Sequence, residues 1–190
     1  MTRGDALAAR FCAEVAADDA VAADARTRFH RLMSAGGKPT RDPVAVSTFF
    51  RGLPGNAFRI LTRVTSPLGK IVLSEWRIAP GDWSENLPEP AGGVTIVLHT
   101  LTVTRRGADL GLFPLVSITR HALSQWFAAA PDPTYPALFA DLSPLVTAED
   151  VERVACPSGE WWLHVDRRNA TGLPLPPLRC VRTYARSAAA

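Results

Sequence analysis

The sequence predicts an α+β fold, an antiparallel sheet of about five to six strands with an N-terminal helical layer and short helices before the last hairpin. Apolar residues recur at helical spacing from Asp5 to about Met33. Short runs of alternating apolar and polar residues follow, and two more close the chain after a stretch with helix-start signals. With 190 residues, 47% apolar and 21% charged, the chain suits a single globular domain with its own core. Residues 1–37 are expected as its helical N-terminal segment and residues 57–190 as its sheet-containing core.

In the first segment Leu7, Phe11, Val15, Ala22, Ala25, Phe29, Leu32 and Met33 lie on one helical stripe, with Asp18 and Asp19 placed to divide it into two helices. Ala35-Gly36-Gly37-Lys38-Pro39 ends it, since glycine releases the backbone and proline prevents resumption. VAVSTFF (44–50) is an apolar element of undetermined type. In FRILTRVT (58–65), Ile60 and Val64 face one side, and Arg59, Leu61, Arg63 and Thr65 the other. In KIVLSEWRIA (70–79), Val72, Ser74, Trp76 and Ile78 alternate with Ile71, Leu73, Glu75 and Arg77. A proline- and glycine-rich loop (79–93) separates these strands from GVTIVLHTLTVTRRG (93–107), which is apolar on both faces, as a central strand covered twice would be. His99 within it, beside Val97 and Leu101, reads as a satisfied core histidine.

FPLVSI (113–118) is a short strand. Thr134 and Thr147 read as N-caps of short helices around YPALFADL and AEDVERV, because a hydroxyl there can accept from the free N–H groups of the first turn. EWWLHVD (160–166) and LRCVRTYA (178–185) are the closing strands, joined by RRNATGLPLPP. In the first of them Trp161 and Trp162 must send one indole to each face.

Charge is distributed unevenly. Residues 121–166 carry one arginine and seven acids, a balance of −6, whereas residues 167–190 carry five arginines and no acid, a balance of +5. Either the basic end pairs with the acidic segment before it, or it forms a basic face open to phosphates. Arginine excess by itself, 19 Arg against Lys38 and Lys70, reflects coding bias as readily as function. Cys12, Cys156 and Cys180 are odd in number and widely spaced, as buried free thiols are. No apolar run reaches the roughly 18 residues of a membrane span, and the N-terminal alanines are interrupted by acids. A cytoplasmic protein is expected.

Functional residues are sought where polar side chains gather. With Thr119 as N-cap of the helix in ITRHALSQWF (118–127), Leu123, Trp126, Phe127 and Ala130 form its apolar stripe, and His121 and Gln125 lie opposite. The positive end of a helix dipole disfavours imidazolium, and a neutral imidazole suits a general base. On the last strand Leu178, Cys180, Arg182 and Tyr184 share one face, and on its predecessor Trp162, His164 and Asp166 share one. Metal-free phosphodiester cleavage needs a base, an acid and cations, and these side-chain types are all present.

ITRHAL, VTAEDVERV, EWWLHV and CVRTYA together resemble the RelE-like and colicin-type small bacterial ribonuclease toxin domains, over at most the last 75 residues. The resemblance implies RNA cleavage without a metal, with His121 as base, Arg182 as the phosphate-stabilising cation, and Thr183 or Tyr184 as a substrate contact. Arg167, Arg168, Arg179, Trp162 and His164 are the accompanying candidates for binding. The family's helix commonly continues H-A-L-x-R-x-x-x-R, where this chain has Gln125, Trp126 and Ala129-Ala130.

No metal-ligand spacing, phosphate-cradling glycine motif or nucleophile elbow occurs, so no cofactor or metal is expected. Two functions follow. One is an RNA-directed, metal-independent ribonuclease of a bacterial mobile-element or toxin system. The alternative is a non-catalytic phage- or plasmid-type accessory or inhibitor, binding a protein or nucleic acid through its basic C-terminal strand or the 80–92 loop.

Overall fold

The structure is a computed structural model that describes residues 1–34, 44, 48, 52, 54–55, 57–67, 70–81, 93–104, 108–148, 151–165 and 179–186. Its elements are α1 (Arg3–Ser34), β1 (Arg59–Thr65), β2 (Ile71–Pro80), β3 (Val94–Val103), β4 (Ala108–Ile118), α2 (Arg120–Ala129), α3 (Tyr135–Thr147), β5 (Arg153–Cys156), β6 (Gly159–Val165) and β7 (Arg179–Arg186). The strands form one sheet of order β1-β2-β3-β4-β7-β6-β5. It is mostly antiparallel, with β4 and β7 parallel. The α+β class is as expected, and the sheet has seven strands rather than five or six. By packing, the chain falls into two compact units, Met1–Glu14 with Pro80–Ile96 and Pro114–Ala190, and Val15–Ala79 with Val97–Phe113.

In the first of these units, α1 opens with a capping box. Thr2 N–H donates to Asp5 Oδ2 at 2.8 Å and Asp5 N–H to Thr2 Oγ1 at 3.1 Å, so two orphan donors of the first turn are satisfied reciprocally. Ser124 of α2 donates to the same carboxylate at 2.6 Å, and a Cβ on Gly4 would collide with the Ser124 carbonyl. Phe11 packs its ring on Phe127 and edge-on to Tyr135. Thr119 caps α2 as expected, accepting from Ala122 N–H at 3.1 Å, and Leu123, Trp126 and Phe127 are buried.

The next element departs from expectation. Thr147 is not an N-cap but the last residue of α3, and AEDVERV does not make a helix among its described residues. Val154 pairs with Trp161 and Arg153 with Trp162, so strand β5 forms where local propensity favours helix. Hairpin pairing with β6 across the tight Pro157-Ser158 turn overrides that propensity. Thr134 flanks α3 without a side-chain cap bond, its hydroxyl donating to Asp132 instead. Pro136 suits the first helical turn, and Leu138, Asp141, Leu142 and Leu145 form the buried face. The strand expected as FPLVSI begins earlier, at Ala108.

In the second unit, α1 continues unbroken through Asp18 and Asp19, because both carboxylates bond Arg77 of β2, at 3.2 and 3.4 Å. Val15, Ala22 and Ala25 are its buried apolar residues there; the side chains of Phe29, Leu32 and Met33 lie outside the described residues, as does VAVSTFF apart from Val44 and Thr48. β2 alternates as expected through Arg77, burying Ile71, Leu73, Glu75 and Arg77, but Ile78, expected on the other face, is buried as well, and so is Ala79. In β1 a register shift between Arg59 and Leu61 breaks the alternation, and Arg59 bonds the buried Glu75 instead of sharing an exposed face with Arg63. Gly55, at φ 78°, sits so close to Ala22 of α1 that a Cβ would collide with the helix backbone.

The Asp5 contacts carry a pH dependence. The Ser124 hydroxyl first, then the Thr2 groups, lower the Asp5 carboxyl from 3.8 to about 2. A lowered acid contributes stability that is present above its unfolded pKa and lost as pH falls through the folded one. Free Asp titrates at about 3.9, so wild type should lose more thermal stability than Asp5→Asn between pH 4 and 2, read as the difference in Tm across that range.

Candidate functional site

The closing hairpin is organised by a β-bulge. Trp161 pairs with Tyr184 and Trp162 with Thr183, but Leu163 pairs with Val181, so Arg182 is an extra residue without a partner in β6. Beyond the bulge His164 stands opposite Cys180 and Val165 opposite Arg179. Parallel pairing of β7 with β4 stops at Val181, where Thr119 N–H donates to the Val181 carbonyl and the chain enters α2. The exposed edge of β7 is then served by side chains of that helix segment. Thr119 Oγ1 donates to Arg182 O at 3.3 Å, and Tyr184 N–H donates to Gln125 Oε1 at 2.9 Å. Gln125 is thus engaged with the sheet, while His121 in the first turn is exposed.

Two faces result. On the inner one, Asp141 is 1% exposed and accepts from Trp126 Nε1 at 2.6 Å, from Ser158 N–H at 3.1 Å and from the Ser158 hydroxyl, while its main-chain carbonyl accepts from Trp161 Nε1 at 2.8 Å. Ser158 and Tyr184 hydroxyls lie 2.6 Å apart. With the single Ser158 proton directed to Asp141, Tyr184 donates to Ser158. Trp161 and Tyr184 rings pack at 4.8 Å, and a Cβ on Gly159 would collide with the Ala185 carbonyl and crowd the Tyr184 hydroxyl. Burial raises the Tyr184 phenol, and burial with the nearby Asp141 carboxylate pushes the Cys156 thiol up to about 11, so both stay protonated at neutral pH. Burial likewise raises Cys12; Cys180 is buried, and none of the three cysteines is in a disulfide among the described residues.

Arg179 also points inward. Its guanidinium donates to the carbonyls of Leu145 and Ala148, the free acceptors at the end of α3. The outer face carries Trp162, 38% exposed, with the Arg153 guanidinium 3.8 Å above its ring centroid. Thr183 lies half-buried beside it, and Arg182 and His164 are exposed.

Of the residues singled out from the sequence, Trp162, Thr183, His164 and Arg182 are neighbours along one hairpin, and Thr119 joins the His121 turn to Arg182. Tyr184 and Arg179 are in the buried framework. Arg167 and Arg168 lie outside the described residues, as does Trp83 of the 80–92 loop. Three residues with roles here were not singled out. Arg153 is the sole arginine of the acidic segment, Asp141 is an acid on an apolar helix stripe, and Ser158 occupies the turn. Asp141 alone carried a signal, since an acid among Leu138, Leu142 and Leu145 needs buried donors.

Among the described residues no cluster of His, Cys, Asp and Glu could hold a metal ion, and no helix is long and apolar enough to cross a membrane. Comparison with family models, curated proteins and solved structures finds no match.

Asp141→Ala would orphan the Trp126 indole and the Ser158 N–H and should cost about 3 kcal/mol or more, whereas Tyr184→Phe removes one hydroxyl bond and should cost about 1 kcal/mol. Urea denaturation followed by tryptophan fluorescence measures both. Loss of stability in Asp141→Ala no larger than in Tyr184→Phe would contradict this arrangement.

Proposed function

We propose that the protein is RNA-directed and engages RNA through the outer face of the β5–β6–β7 segment. The observation that carries this reading is the exposed Trp162 with Arg153 stacked on it, beside Thr183 and the bulged Arg182. An indole and the guanidinium held over it can offer a base a stacking surface, and an arginine on a bulge can meet a phosphate. Side chains of these kinds on one half-solvated strand face make a binding surface without further machinery. Thus the non-catalytic form of the reading, a binding protein acting through its basic C-terminal strand, needs the fewest groups.

Catalysis is the second reading. It draws support from the hydrogen bond of Thr119 to the Arg182 carbonyl, which ties the exposed His121 turn to the main chain of the residue that bears the cation. His121 would act as base towards a 2′-hydroxyl and Arg182 would offset the charge that develops on phosphorus-bound oxygen. In this form the reading follows the resemblance to small bacterial ribonuclease toxins with one change. Tyr184 supports the fold from the buried side, and Thr183 is the hydroxyl left for substrate.

Both forms are tested with a fluorescent single-stranded RNA and purified protein, with and without EDTA. Trp162→Ala should weaken binding by about tenfold through lost stacking. Arg182→Ala should weaken it across sequences and reduce the slope of log affinity against log salt by about 0.7. Cleavage that survives EDTA and disappears in a folded His121→Ala variant would support the catalytic form. Binding without cleavage leaves the non-catalytic form, and no binding by wild type removes RNA from both.

A further inference from the structure

The second unit buries an ionic network whose hydrogen bonds are incomplete. Glu75, fully buried, takes Arg26 Nη2 on one carboxylate oxygen at 3.0 Å and Arg59 Nε on the other at 2.5 Å. Arg77, 1% exposed, gives Nη2 to Asp18 and Asp19 and Nη1 to the carbonyl of Gly55 at 3.1 Å. The described acids are therefore engaged, and their partners use the Nη ends of Arg26 and Arg77. Left over, buried and without a hydrogen-bond partner among the described residues, are Arg26 Nε, Arg77 Nε, Thr62 Oγ1 and His99 Nε2.

The four residues are neighbours around Glu75. Thr62 is the cross-strand partner of Glu75, Arg77 is two residues along the same face of β2, and Arg26 reaches Glu75 from α1. His99, on β3, is lowered to about 3 by burial first and then by the charges of Arg26 and Arg77. His99 is not the satisfied core histidine its neighbours Val97 and Leu101 suggest.

Two of the four open groups are N–H donors only, the hydroxyl can donate, and so can the imidazole in one tautomer. A buried polar group without a partner costs about 1–3 kcal/mol, so four such groups on neighbouring residues call for an occupant. We infer that Arg26, Thr62, Arg77 and His99 hold a small inorganic anion of halide size against Glu75's neighbours on β1, β2 and β3. A metal cation is disfavoured by the two guanidinium groups. The rival occupant is water, which can accept from the arginines and donate to His99.

Ring resonances of the four histidines, followed by NMR while sodium gluconate is replaced by sodium chloride at constant sodium, separate these occupants. The site predicts a saturable shift of His99, with His121 and His164 as exposed controls, and a parallel rise in Tm. Thr62→Val removes a donor that has no other partner, so the variant should fold and bind chloride about fivefold more weakly. Absence of a saturable His99 shift would assign the place to water and overturn the inference. So would an unchanged chloride affinity in a folded Thr62→Val variant.

Discussion

The Asp141 carboxylate is the constraint on which the C-terminal half of the chain depends. A buried acid is stable only when its lone pairs are filled by donors, and here the donors come from α2, from the β5–β6 turn and, through Ser158, from β7. Each donor has one geometry that satisfies the carboxylate, so the turn, the strand face and both helices are fixed together. Trp161 and Tyr184 are drawn inward by this arrangement. Their strand neighbours Trp162 and Thr183 are then forced outward, because successive side chains alternate.

The bulge at Arg182 adds the second element. An extra residue in β7 lets Val181 and Tyr184 both be buried although they are three positions apart. Strict alternation would have sent one of them to solvent. The same insertion leaves Arg182 unpaired and exposed, with its carbonyl taken by Thr119. The outer face is thus a by-product of how the inner one is built, and its arginine is positioned by backbone rather than by side-chain contacts.

Periodicity made most of the fold legible. The β2 alternation, the two-sided burial of Val94–Val97, the Thr119 cap and the opposite destinations of Trp161 and Trp162 all follow from local spacing. What spacing could not give was the outcome of competitions decided at long range. AEDVERV has helical propensity, yet Val154 and Arg153 gain more by pairing with the two tryptophans. Asp18 and Asp19 look like a helix break until Arg77 is seen to bind them. For the site, the types Trp162, His164, Arg182 and Thr183 were visible, but the assignment of Tyr184 to the same face assumed no bulge, and a bulge leaves no mark in one sequence. Arg179, a binding candidate in the sequence, caps the end of α3, a contact between separate elements that local spacing does not mark.

The two units treat buried polarity differently, and the contrast bears on function. Around Asp141 each buried donor has an acceptor, as expected of a network that serves the fold. Around Glu75 the ion pairs are formed but four polar atoms remain open. An apolar replacement for a fully satisfied buried ion pair is often neutral or stabilising, and a partly satisfied network is worse still as a structural device. Fold stability alone therefore does not account for Arg26, Arg77, Thr62 and His99 in the same place. An acceptor that completes their hydrogen bonds would turn a partly satisfied buried network into a satisfied one.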